Sequence, residues 1–127
     1  MQTNISGQYT GDSYRPIRVD DNGFLIISPM SQTTVHHDNV NVGGDGEIAD
    51  INGFRSITFQ SFGSADRAAI NIKVSIDKVN WYQLGCFNHC NPEGGMDYRD
   101  IAGWKYLKCV IETIDSGSLS VISNTIY

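Results

Sequence analysis

The chain has 127 residues, 40% hydrophobic and 18% charged, with a formal net charge of −5. That length suits one domain, and a charged share below the roughly 25% of an average domain points to one real core and not to disorder. Nine basic residues scattered among fourteen acidic ones form no stripe that would neutralise phosphates, so nucleic acid is not an expected partner. No apolar run nears the ~20 residues that span a bilayer, so no membrane is expected either.

Residues 1–16, MQTNISGQYTGDSYRP, show no sustained periodicity and few branched apolar side chains. They read as an extended arm unable to bury enough surface to fold alone. Met1 to Tyr14 lacks the basic-then-apolar layout of a signal peptide, and three cysteines are an odd number for a disulfide framework. Both features lead to the expectation of synthesis in a reducing cytosol.

From residue 17 the chain reads as strands. Pro16-Ile17-Arg18-Val19 and Phe24-Leu25-Ile26-Ile27-Ser28 flank Asp20-Asp21-Asn22-Gly23. Asn-Gly between two β-rich runs predicts a hairpin, because both residues tolerate positive φ. Thr33 to His37 and Val40 to Val42 suggest one interrupted strand, followed by a Gly43-Gly44-Asp45-Gly46 loop. In residues 54–62, Arg55, Ile57, Phe59 and Ser61 share one face. The clearest strand sets Ile70, Ile72, Val74 and Ile76 against Asn71, Lys73, Ser75 and Asp77, the two-residue period of one buried and one wet face.

A turn at Asp77-Lys78-Val79-Asn80 leads into Trp81-Tyr82-Gln83-Leu84. Residues 85–95 read as a looser segment, and a short run follows around Met96 to Ile101. Residues 105–113 put Leu107, Cys109 and Ile111 inward, and Leu119-Ser120-Val121-Ile122 closes the series. About eight short strands with regular turn signals, and no helical period, predict an all-β antiparallel β-sandwich or jelly roll over residues 17–127.

Candidate chemistry is sparse. Cys86, His89 and Cys90 carry the side chains zinc prefers, but a structural site needs four ligands at spacings this chain lacks. A polar loop with small, partly buried thiols is the plainer reading, and a local Cys86–Cys90 disulfide is a lesser one. A cysteine–histidine catalytic pair oriented by Asp97 or Asp100 has no feature that would lower a thiol pKa, so no enzyme activity is expected. Asp45, Glu47 and Asp50 lack the ligand alternation of an EF-hand loop and read as solvated acids. The glycine-rich segment has no following Lys-Ser/Thr or helix, so it fails as a phosphate loop. No cofactor is expected. His36 and His37 alternate along a strand, so one of them is expected to be exposed. Trp81, Tyr82 and Trp104, with Tyr106 nearby, are candidate stacking residues for a ligand such as a sugar, against the plainer reading of core packing beneath two hairpins.

Two stretches carry a resemblance. Residues 14–29, YRPIRVDDNGFLIISP, resemble the opening of many tailed-phage virion proteins, in which a polar arm leads through Asp-x-Asn-Gly into an apolar strand. Residues 74–84, VSIDKVNWYQL, resemble a Ser-x-Asp-Gly-x-x-Trp-Tyr hairpin of phage structural β-sandwiches and of discoidin-like carbohydrate-binding modules, with Lys78 where that hairpin usually has glycine. Ala102-Gly103-Trp104-Lys105-Tyr106-Leu107-Lys108 resembles the strand that follows in both groups. The resemblance implies a virion structural protein on the capsid surface, assembled in the host cytoplasm. Among virion roles it favours a capsid decoration (cement) protein, with a head-fibre, tail or baseplate component and a carbohydrate-binding module as alternatives. Its partners would be the major capsid protein and copies of itself in a homo-oligomer. The arm positions Ile5, Tyr9 and Tyr14 and exposed sheet edges would make the contacts.

Overall fold

The computed structural model describes residues 31–127, together with the backbone of two short strands, β1 (Arg18–Val19) and β2 (Leu25–Ile26). These two pair antiparallel, Arg18 opposite Ile26 and Val19 opposite Leu25, as the Asn-Gly signal predicts, and form a two-stranded sheet of their own. The arm residues Ile5, Tyr9 and Tyr14 lie outside the described residues.

Nine further strands make two antiparallel sheets, and no helix occurs among the described residues. One sheet has four strands in the order β3 (Ser31–Val40), β11 (Leu119–Ile126), β6 (Ser56–Phe62) and β9 (Gly95–Asp100). The other orders β4 (Gly44–Asp45), β10 (Tyr106–Asp115), β7 (Arg67–Ser75) and β8 (Tyr82–Cys90), with β5 (Ala49–Asp50) also paired to β10. The fold is a β-sandwich, as the period-two pattern predicts.

The inward positions are those the alternation marks. Ile57 and Phe59 from β6, Ile70, Ile72 and Val74 from β7, and Leu107, Cys109 and Ile111 from β10 are all buried. Phe59 and Phe87 stack across the core with ring centroids 5.7 Å apart, joining the two sheets. Burial pushes the Cys109 thiol far above its ordinary range and keeps it an apolar filler.

Four local expectations fail, each for a reason visible in the backbone. Residues 85–95 are not loose: β8 runs unbroken to Cys90, and a tight turn over residues 91–94, closed by mutual Cys90–Gly94 backbone hydrogen bonds, starts β9 at Gly95. Gly44 and Asp45 are not loop but the short strand β4 on β10. Ile76 is exposed because β7 ends at Ser75, whose hydroxyl accepts from the amides of Asp77 and Lys78 and turns the chain away. Neither histidine of the His36–His37 pair is exposed. On β11, Val121 faces His37 and Ile122 faces Val35, so His36 is the extra residue of a bulge that sends both imidazoles inward.

Candidate functional site

The candidate stacking residues gather at one end of the five-stranded sheet, around the turn between β7 and β8. Asp77 holds that turn. Its Oδ1 accepts from the amides of Val79 and Asn80, both at 2.8 Å, and from the Ser75 hydroxyl. The amide hydrogen bonds from Asn80 and Val79 hold its carboxyl well below the usual carboxylate range. Lys78 takes φ of +66°, the conformation for which a glycine usually stands, so the chain keeps the turn type at some backbone strain.

The aromatic residues emerge from this turn and from β10. Tyr82 is exposed, and its ring lies parallel to Trp104, with centroids 6.0 Å apart and an interplanar angle of 4°. Trp104 is half-buried and packs against the core. Trp81 is half-buried and carries the Lys108 ammonium 4.4 Å above its ring centre. Lys108 also donates to Asp45 Oδ2 at 2.9 Å. The Lys78 ammonium lies 4.8 Å from the centre of the Tyr106 ring. The core-packing reading therefore holds for Trp104 and fails for Tyr82. Tyr82 is the exposed ring of the group, while the two ammonium groups lie over the Trp81 and Tyr106 rings. No sequence spacing announced the Lys108–Trp81 or Lys108–Asp45 contacts, which join residues far apart in the chain.

The other candidates are not brought together. Strand alternation turns Cys86 and Cys90 outward and His89 inward, so the three do not converge on one ion. His89 Nδ1 shares a 2.9 Å hydrogen bond with the Ser61 hydroxyl of the opposite sheet. Asp97 bonds Arg99 at 2.8 Å, and neither it nor Asp100 orients His89. The Cys86–Cys90 disulfide is ruled out by reach: four residues along a strand span about 13 Å, against the under ~7 Å between Cα atoms that a disulfide needs. Both thiols are free and exposed, and they do not sit in a loop as expected. Asp45 is taken by Lys108, and Asp50 Oδ1 accepts from the Asn52 amide. Among the described residues no three metal-ligating side chains cluster.

The buried histidines serve the fold. His36 Nδ1 donates to the Glu47 carbonyl at 3.0 Å, which leaves Nε2 of the neutral ring to accept from the Ser123 hydroxyl at 2.7 Å. His37 Nε2 donates to the Cys109 carbonyl at 2.9 Å. The glycine-rich segment passes so closely that a Cβ at Gly46 would meet the His36 carbonyl at 2.6 Å and the His37 ring at 2.7 Å. Gly46 is needed for this close approach and not for phosphate binding.

The two antiparallel sheets define a β-sandwich domain. No family model matches the sequence, and no curated protein matches it. Two solved structures are similar. SPBc2 prophage-derived protein YomS aligns at 16% identity with a TM-score of 0.68, over 83% of this chain and 100% of its own. PBSX exported protein XepA aligns at 15% identity with a TM-score of 0.69, over 86% of this chain and 42% of its own, so this chain spans less than half of that protein. Both neighbours are phage-derived, and at these identities the likeness is one of fold.

Proposed function

We propose that this chain is a structural protein of a phage particle, and within that class a capsid decoration protein that binds the assembled head and acts by contact, without catalysis. The observation that carries the reading is the shared sandwich: a prophage-derived protein aligns over its whole length with five-sixths of this chain. The resemblance of residues 14–29 and 74–84 to virion proteins supports it independently. Contacts available only on the finished shell stabilise that shell by mass action. An extended arm gains affinity from main-chain pairing with a neighbour's sheet. Deletion of residues 1–14 tests this with purified heads of the parent phage. The truncated protein is expected to keep its circular dichroism and unfolding midpoint while losing capsid occupancy; full occupancy would refute the arm's role. Electron microscopy of labelled particles separates the head from a head-fibre, tail or baseplate position.

The exposed Tyr82 ring stacked on Trp104 favours one second reading, a carbohydrate-binding module using Trp81, Tyr82 and Trp104. Tryptophan fluorescence that stays unchanged across a broad glycan panel would set it aside.

A further inference from the structure

The outer face of the five-stranded sheet carries a cavity of about 310 Å³ at the end of β8 away from Tyr82, its lining including Arg67, Ala69, Asn88, Cys90, Thr113 and Asp115. Strand register builds it. Thr113, Ala69 and Asn88 form one row across β10, β7 and β8, and Asp115, Arg67 and Cys90 form the next. The register shifts between Ile111 and Thr113, which makes Glu112 the extra residue of a bulge. Strict alternation from the buried Ile111 would turn Thr113 and Asp115 inward. The bulge reverses that parity, so both are exposed and Ile114 packs against the core in their place. Ala69 brings a single methyl between Thr113 and Asn88, and the depression lies over it.

The charges around this depression are of opposite sign and uncommitted. Arg67 and Asp115 stand directly opposite each other, yet among the described residues neither side chain has a hydrogen bond or ion pair. The side chains of Asn88 and Thr113 are likewise without a protein partner there. Farther along the same face the polar groups hold one another, Lys108 with Asp45 and Asn71 with Glu112. Asp66, next to Arg67 in the chain, takes the Ser116 hydroxyl.

We propose that this cavity binds a small dipolar ligand, one that carries a carboxylate close to an ammonium group and has the size of an amino acid or dipeptide. The charge pair selects that class. A guanidinium presents paired N–H donors to a carboxylate, and the Asp115 carboxylate accepts from an ammonium. Residues facing each other across antiparallel strands have Cα atoms about 5 Å apart, so the two charges bracket a ligand whose own charges are near neighbours. A simple anion would face Asp115, and a simple cation would face Arg67. A neutral sugar would strip water from both charges and replace it with nothing charged. The Asn88 amide and Thr113 hydroxyl can each donate and accept, which suits a peptide group, and the Ala69 methyl meets carbon. The volume lies at the small end of ligand cavities and limits the occupant to that size. This site is separate from the Tyr82–Trp104 stack, and its occupation does not depend on contact with a capsid.

Nuclear magnetic resonance titration of the isotope-labelled full chain tests it, with glycine, L-alanine and L-alanyl-L-alanine as probes. At least one is expected to give saturable shifts confined to amides of residues 67–69, 88–90 and 113–115. Blocking that probe's amine by acetylation, or its carboxylate as the amide, is expected to weaken binding roughly tenfold, the worth of a charge-assisted hydrogen bond. Arg67→Gln and Asp115→Asn are each expected to do the same with the unfolding midpoint unchanged. In Arg67→Gln the amidated probe is expected to bind as well as the unmodified one, which a merely structural role for Arg67 would not produce. The bound probe is also expected to slow alkylation of Cys90 and to leave that of Cys86, the other exposed thiol of β8, as it was. The inference is overturned if none of the three probes shifts these amides. Capped probes that bind as tightly as the dipolar ones overturn it too, as does binding indifferent to both substitutions.

Discussion

On the outer face of the five-stranded sheet Lys73 and Lys108 stand directly opposite each other on β7 and β10, Asp45 answers Lys108, and Asn71 bonds Glu112. On the outer face of the four-stranded sheet the corresponding rows hold threonine, asparagine, glutamine and exposed apolar side chains. Both surfaces arise from the same alternation, and both back onto one shared core. The inward residues are constrained by packing, whereas an outward residue needs only to tolerate water. Met96 and Tyr98 stand exposed in neighbouring rows of the four-stranded sheet, where the five-stranded sheet carries Lys108 paired with Asp45.

Changes to the shared interior break the comparison most severely, because they damage both faces together. Phe59→Ala removes the ring that stacks on Phe87 and joins the sheets. It is expected to cost about 3–5 kcal/mol in denaturant unfolding, whereas an outward change such as Met96→Lys is expected to stay within about 0.5 kcal/mol. Equal losses from the two would mean that the outer face is part of the core.

Acid provides the next effect. Burial lowers the His36 pKa below 6.5, with the neighbouring His37 acting the same way, while the Glu47 carbonyl bond and carboxylate oppose them. A histidine whose folded pKa lies below its unfolded one takes up a proton more readily on unfolding. Stability is therefore full above about pH 6.5 and is lost as pH falls from there toward the lower folded value. Urea midpoints measured between pH 8 and pH 5 are expected to decline on the acid side, less steeply in His36→Gln; identical slopes would remove His36 as the cause.

The smallest effect sharpens the contrast between faces. Lys73→Glu replaces a like-charge cross-strand pair by an opposite one and is expected to stabilise by about 0.2–1 kcal/mol, an effect that shrinks in high salt. A gain that persists in concentrated salt would point to a cause other than the Lys73–Lys108 opposition.

Much of the fold was legible because alternation is local. Ile70, Ile72 and Val74, and Leu107, Cys109 and Ile111, were marked as inward from spacing alone, and all are buried. The site was less legible. Trp81, Tyr82 and Trp104 were marked by residue type, but which ring packs inward and which stays exposed depends on where β7 ends and on how the Asp77 turn aims the chain. The Cys86–His89–Cys90 grouping misled because proximity in sequence, on a strand, puts odd and even positions on opposite faces.

By itself the sequence determined that this is a β-sandwich, which residues fill it, and where several of its strands turn, since a two-residue period, a Gly or Asn at a turn, and charge-free inward positions are properties of a few adjacent residues. Only the tertiary structure decided the rest. The bulge at His36 buries two histidines, Lys108 reaches both Trp81 and Asp45, and four strands distant in the chain align their outward residues into common rows. Each of these depends on register between strands, and register is fixed by how the two sheets close over their core, which no short stretch of chain encodes.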